Sequence, residues 1–225
     1  MRFMIHACPQ RMWYVDNFLL PSMLAQGIER EEITVWNDTT GAGNLQSFVQ
    51  SMQLCGVLKE RGVWHMQDDV LLSSSFAERT AALEKARDEP VICGFGCDFG
   101  DGLLDYKGRA PAKAMWYSFP CVYIRNELAA EFSAWFEKAK NAGKYREKLA
   151  AGKSDDWFFR EFFLEKHGGA FAYNVTPSLV EHIDFLIGGT VVNPLRLRKI
   201  NRAASWEEPE AVEELAARLE RYKNK

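Results

Sequence analysis

Apolar residues along the first half of the chain follow two alternating patterns. Solid, short apolar runs span Arg2–Ala7, Glu32–Trp36 and Gly62–Met66, each the length of a buried strand. Between the first two, Val15, Phe18, Leu19, Met23 and Leu24 recur at helical spacing within Tyr14–Gln26, where Pro21 predicts a bend or break. Leu45–Leu58 is helical again. Strand, helix, strand, helix, strand predicts a parallel sheet with crossover helices. Such sheets bind ligands beyond the carboxyl ends of their strands. The three turns expected there carry Arg11, Asp38 and the pair Asp68-Asp69.

Further on, Ser73-Ser74-Ser75 predicts a cap for a helix over Phe76–Arg87, followed by a strand over Pro90–Phe95. A Gly- and Asp-rich loop, Gly96–Lys113, is long enough to be a binding segment, with Asp98 and Asp101 in it and Trp116 and Tyr117 just after. Met115–Ile124 reads as a strand interrupted at Pro120, and Glu127–Ala142 as an amphipathic helix. A helix opening at Ser154 runs to about Lys166, and Ala170–Val175 is a strand. Pro177–Asn193 contains His182 but no clear element. A basic stretch (Arg196, Arg198, Lys199, Arg202) then precedes a charged helix over Pro209–Tyr222. The pattern predicts an α/β domain over residues 1–193, a mostly parallel central sheet flanked by helices, and a C-terminal helical extension over 194–225.

Composition narrows the class. At 225 residues, with 47% hydrophobic and 13% aromatic content, the chain can bury a full core. A net charge of -3 gives no global footprint for nucleic acid or an anionic membrane. No apolar run is long enough to span a bilayer, and Met1–His6 lacks the order of a signal peptide, so a cytoplasmic protein is expected. The five cysteines read as reduced core thiols. Cys93 and Cys97 stand one residue farther apart than a zinc knuckle, with no second pair behind them.

The candidate chemistry centres on Gln67-Asp68-Asp69-Val70. Two adjacent carboxylates at the end of a buried strand are costly unless a cation lies between them, which predicts a metal and phosphate site. A solvated turn with one Asp as a cap is the plainer reading. A second acidic pair, Asp155-Asp156, sits where a helix begins, and either cap or dipole preference accounts for an acid there. Arg11 and Asp38 read as a surface Arg and a turn Asp, or as groups for a phosphate, base or ribose. Gly41-Ala42-Gly43-Asn44 lacks the spacing of a phosphate-binding loop and reads as a tight turn.

Together these residues resemble the GT-A class of nucleotide-sugar glycosyltransferases. The likeness spans most of residues 1–193: a parallel sheet unit, an acidic motif after the third strand, acids at a later helix start, and a late His. The chain resembles lipooligosaccharide-type or phage-encoded glycosyltransferases, and Gln67-Asp68-Asp69-Val70 is similar to the Glu-Asp-Asp-Val of the lipooligosaccharide type, with Gln67 where the family carries a carboxylate. The resemblance implies that Asp69 and His182 ligate Mn²⁺ or Mg²⁺. It places Asp68, Gln67, Arg11 and Asp38 at the donor, a UDP-sugar by default. It makes Asp156, or else Asp155, the base that deprotonates an acceptor hydroxyl, with Asp156 favoured. The implied acceptor is a surface glycan or the hydroxylated base of modified phage DNA. A nucleotidyltransferase is the alternative enzyme, although Cys8-Pro9-Gln10-Arg11 lacks the glycine such chains carry after the first strand. A non-catalytic nucleotide-sugar-binding module is the alternative without chemistry.

Overall fold

The three apolar runs form β1 (Phe3–Ala7), β2 (Ile33–Asn37) and β3 (Gly62–Gln67), with β1 paired parallel to both others. The computed structural model describes residues 3–96, 108–111, 119–168, 170–188, 203 and 206–224. Beyond β3 come β4 (Val70–Leu72), β5 (Val91–Cys93), β6 (Gly108–Pro111), β7 (Cys121–Arg125), β8 (Phe171–Asn174) and β9 (Val180–His182). Seven strands make one sheet in the order β2-β1-β3-β7-β5-β8-β6, while β4 and β9 form a separate two-stranded ribbon. Antiparallel pairing at β3–β7, β7–β5 and β6–β8 leaves five strands running one way and β7 and β6 the other. The sheet is therefore mixed, with the parallel majority expected.

Alternation along the strands divides the core. Phe3, Ile5 and Ala7 face one layer, made by α1 (Met12–Tyr14), α2 (Leu20–Ala25), α4 (Phe76–Ala86), α8 (Pro209–Lys223) and the β4–β9 ribbon. Met4, Val63 and Val122 face the other, made by α3 (Asn44–Gly56), α5 (Asn126–Ala139), α6 (Gly143–Ala150) and α7 (Asp155–His167). Phe48, Phe119, Phe132 and Phe159 stack edge and face at that second layer's centre.

Near Pro21 the first helical segment is not one continuous α-helix. Residues 15–19 widen into a π-helix between α1 and α2, with the Leu20 N–H reaching the Val15 carbonyl. A Pro has no N–H to give a four-residue bond, and a wider turn absorbs that loss. Ser75 stands at the N-cap of α4 but its hydroxyl caps nothing. The expected capping segment instead holds the C-terminal extension: the Ser74 backbone N–H and hydroxyl both donate to Glu208, each at 3.0 Å. Leu215 and Leu219 of α8 are buried in the same core as β1, and Tyr222 stacks on Trp13 with centroids 5.6 Å apart.

At Gly56 a side chain would enter occupied space. A Cβ there would lie 2.8 Å from the Ala130 Cβ and 2.9 Å from its Cα, so the residue lets α3 and α5 close on each other. Gly56→Ala is expected to lower stability by about 1–3 kcal/mol through overpacking. Urea denaturation checks it, and an unchanged midpoint would show that the two helices are free to move apart.

Candidate functional site

The carboxyl edge of β1, β2 and β3 gathers the polar residues. After β1 the chain turns at once through a short 3₁₀ turn, Pro9–Arg11, which folds Arg11 back over the end of β3. After Gln67 the chain leaves the sheet at Asp68-Asp69 and continues into β4, which pairs antiparallel with β9 and sets Val70 opposite His182. The Asp69 carbonyl accepts from the Ile183 N–H at 2.9 Å, and the Val70 carbonyl from the Tyr14 hydroxyl at 2.9 Å. This ribbon carries His182 to the acidic pair.

Both carboxylates are buried, Asp68 at 4% exposed and Asp69 at 6%. The reading as a solvated turn is thereby set aside. One Asp68 oxygen accepts from the Cys8 backbone N–H at 2.8 Å, the other from Arg11 Nη1 at 2.8 Å. The same Arg11 nitrogen also bonds Asp69 Oδ2, and His182 Nε2 lies 3.2 Å from that oxygen. Asp69 Oδ1 is buried and accepts no hydrogen bond among the described residues. His182 Nδ1 is 3.8 Å from Asp184, too far for a hydrogen bond.

Charge follows geometry. Burial opposes ionisation of Asp69, but His182 and Arg11 together outweigh it and hold its carboxyl well below the usual range. Burial and the Asp69 charge push the Asp68 carboxyl up against the pull of Arg11. Burial also disfavours charge on His182, yet the Asp69 contact raises the imidazole to about 9.

At the start of α7, Asp155 is buried at 2% exposed and accepts from Asn44 Nδ2 at 2.9 Å. Asn44 opens α3 directly after the β2 turn, so α7 begins at the same sheet edge. Asp156 is half-buried; one of its oxygens takes the Ser154 hydroxyl and the Trp157 N–H. Burial first, then the neighbouring Asp156 charge, pushes Asp155 up to about 7. A carboxyl that binds its proton more tightly when folded loses stability as pH rises from its unfolded value near 4 to about 7. Asp155→Asn is therefore expected to flatten the pH profile of stability over that window, where the slope is at most about 1.4 kcal/mol per pH unit. Denaturation at stepped pH checks it; parallel profiles for the two proteins would count against the shift.

The remaining predicted residues lie nearby with other partners. Asp38 spends its carboxylate on its own turn, accepting from the Ala42 and Gly43 N–H groups at 3.0 and 2.9 Å and from Thr40. Those bonds hold it below its ordinary value against the opposing effect of burial. Gln67 is half-buried in the last position of β3, its N–H on the Pro120 carbonyl. Asp98, Asp101, Trp116, Tyr117, Cys97 and the basic stretch Arg196–Arg202 lie outside the described residues.

No protein-family model matches this sequence, and no curated protein does. Among solved structures, the chain is similar to the S. aureus glycosyltransferase TarS, residues 1–349, at a TM-score of 0.51 and 10% identity. The match covers 83% of this chain and 62% of that one, so this chain spans about three fifths of the TarS segment. The fold is glycosyltransferase-like. A197 from STIV and the galactosyltransferase LgtC in complex with donor and acceptor sugar analogs also match, each at 12% identity. The A197 match covers 81% of this chain and 86% of that one at a TM-score of 0.45, and the LgtC match 79% and 88% at 0.37.

Within this glycosyltransferase-like fold the acidic pair can be tested as a cation site. Carboxylate oxygens with one imidazole are a donor set suited to Mn²⁺ or Mg²⁺. His182 Nε2 and Asp69 Oδ2 meet at 3.2 Å, and Asp69 Oδ1, buried without a donor among the described residues, is a further oxygen that could face an ion. Among the described residues no three His, Cys, Asp or Glu side chains form a ready-made cage. Diphosphate oxygens and water would complete the shell, as is usual for Mg²⁺-type sites.

One polar cluster escaped the sequence reading. Ser47 is fully buried on α3 and accepts from Trp36 Nε1 at 3.1 Å, with His6 Nε2 at 2.8 Å. The signal was present: Ser47 and Ser51 stand four apart on the same helical face as Phe48 and Met52, polar positions in an apolar stripe.

Proposed function

We propose that the protein is a metal-dependent glycosyltransferase that moves a sugar from a nucleotide-diphosphate donor, a UDP-sugar by default, to an acceptor hydroxyl. One observation carries the reading: a buried acidic pair at the carboxyl end of β3 with an imidazole 3.2 Å from Asp69, in a glycosyltransferase-like fold. Asp69 and His182 would hold the ion, which neutralises the charge that builds on the leaving diphosphate. Asp68 fixes the turn through the Cys8 N–H and keeps its second oxygen towards the shared cationic position. Arg11 supplies a second positive charge for the phosphates.

Asp156 is the base in this reading, because it is the less buried of the α7 acids and has an oxygen free of the helix's own bonds. It takes the proton of the acceptor hydroxyl. The acceptor oxygen then bonds the anomeric carbon, and the bond from that carbon to the diphosphate breaks with its electron pair on the nucleoside diphosphate. A carboxyl pushed upward by burial is better suited to hold that proton than an exposed one. The acceptor is a glycan or a hydroxylated DNA base.

Incubation with a panel of nucleotide sugars tests this directly. Release of nucleoside diphosphate should depend on Mn²⁺, stop with EDTA, and accelerate with the right acceptor. If no nucleotide sugar binds or turns over with Mn²⁺ present, the reading is wrong.

A further inference from the structure

Arg11 occupies the position from which one cation can reach both carboxylates. Its Nη1 bonds Asp68 Oδ1 at 2.8 Å and also bonds Asp69 Oδ2, the oxygen that faces His182. The side chain is buried, and its 3₁₀ turn sits directly on the end of β1, so the contact is built into the fold and is not a surface encounter. A divalent ion held by Asp69 and His182 needs Asp69 Oδ2, the oxygen that faces His182 and that Arg11 now shares.

We propose that Arg11 is a resident counter-cation, exchanged for the divalent ion when the donor's diphosphate arrives and then turned onto the phosphates. This rests on the metal-dependent reading above. Charge arithmetic gives the reason. With His182 counted as a neutral ligand, two carboxylates and one guanidinium sum to -1; a divalent ion added beside Arg11 leaves +1 in a buried place, and added in its stead leaves zero. Buried charge is tolerated only when compensated. Releasing Arg11 without a new partner strands its own charge, so the ion alone is held weakly. A diphosphate supplies that partner and lets both cations stay. Occupancy by Arg11 lowers the apparent metal affinity by the fraction of molecules in which the pair is open.

Calorimetry with Mn²⁺ alone, and with Mn²⁺ plus UDP, on the full chain tests the exchange. Arg11→Gln should bind Mn²⁺ alone at least tenfold more tightly than the wild type. It should also gain less from UDP, because the exchange step is gone. Mn²⁺ should raise the melting temperature of the variant and leave that of the wild type unchanged. If Arg11→Gln does not fold, Arg11→Lys decides instead, since a single ammonium cannot match the guanidinium's fork. It too should bind Mn²⁺ more tightly than the wild type. Equal or weaker Mn²⁺ binding by the folded variant overturns the exchange. In that case loss of Mn²⁺–UDP binding in Asp69→Asn still upholds the metal site. Absence of Mn²⁺ binding in every protein, with or without UDP, overturns the metal reading and the exchange together.

Discussion

Replacing Arg11 with methionine is expected to destabilise the protein by about 3–5 kcal/mol at neutral pH. Methionine preserves much of the side chain's volume, so the loss isolates the charge and its hydrogen bonds. Among the described residues, removing the guanidinium leaves Asp68 with Cys8, through its N–H and its thiol, and leaves Asp69 with His182, both still buried. Breaking one partner out of a buried ion pair costs more than the pair contributes, because the partner left behind cannot be rehydrated. A second substitution separates these effects. Asp68→Asn in the Arg11→Met background removes the carboxylate that lost its partner, and should restore part of the stability. Urea denaturation of the two single variants and the double variant gives the coupling. A loss below about 1 kcal/mol for Arg11→Met would mean that water reaches the pair and that the cluster is not sealed.

The cost of burying two carboxylates was legible in the sequence; the identity of their cation was not. Asp68-Asp69 follows a solid apolar strand, which pointed to a positive partner beside the plainer reading of a solvated turn. Arg11 lies 57 residues from Asp68, and only the parallel pairing of β1 with β3 brings them together. The alternation of strands and helices predicted a parallel sheet and the edge that carries Arg11, Asp38 and the acidic pair, but not which strands are neighbours. Strand β7, wedged between β3 and β5, was legible within Met115–Ile124, but its antiparallel direction left no mark, since a buried strand has the same apolar run in either direction. The β4–β9 ribbon was equally silent. Val70-Leu71-Leu72 and Val180-Glu181-His182 are three residues each, shorter than any periodicity can report. Yet that ribbon decides where His182 goes. In the sequence His182 was a lone imidazole before Ile183, given a role only by family resemblance. In the structure backbone pairing with Val70 sets it against Asp69. The α7 acids show the converse: their helix start was plain, but which one is sealed depended on Asn44 of α3 reaching Asp155 across 111 positions.

Asp69→Asn is expected to lower turnover of the donor by about a thousandfold or more, equivalent to about 4 kcal/mol in the transition state. The substitution keeps the shape and the hydrogen-bond reach of the side chain while removing its charge. Asp69 is the residue on which the site converges: Arg11 and His182 both meet its Oδ2, and its Oδ1 is buried with no donor among the described residues. Asp68 is differently placed, with one oxygen committed to the Cys8 N–H. Asp68→Asn preserves that bond, and its loss should be smaller, about tenfold. The loss in Asp69→Asn should fall on kcat more than on KM, because a charge that answers the leaving diphosphate acts mainly as that charge develops. Circular dichroism and denaturation must show both variants folded: Asp69→Asn can keep an oxygen on Arg11, whereas Asp68→Asn, its one oxygen on the Cys8 N–H, turns its amide nitrogen toward Arg11. Steady-state release of nucleoside diphosphate in saturating Mn²⁺ then compares them with the wild type. Equal losses in the two variants would place the ion, or the charge that does its work, symmetrically between the carboxylates. A wild-type rate in Asp69→Asn would remove Asp69 from the chemistry and leave it as the inner half of a structural ion pair with Arg11.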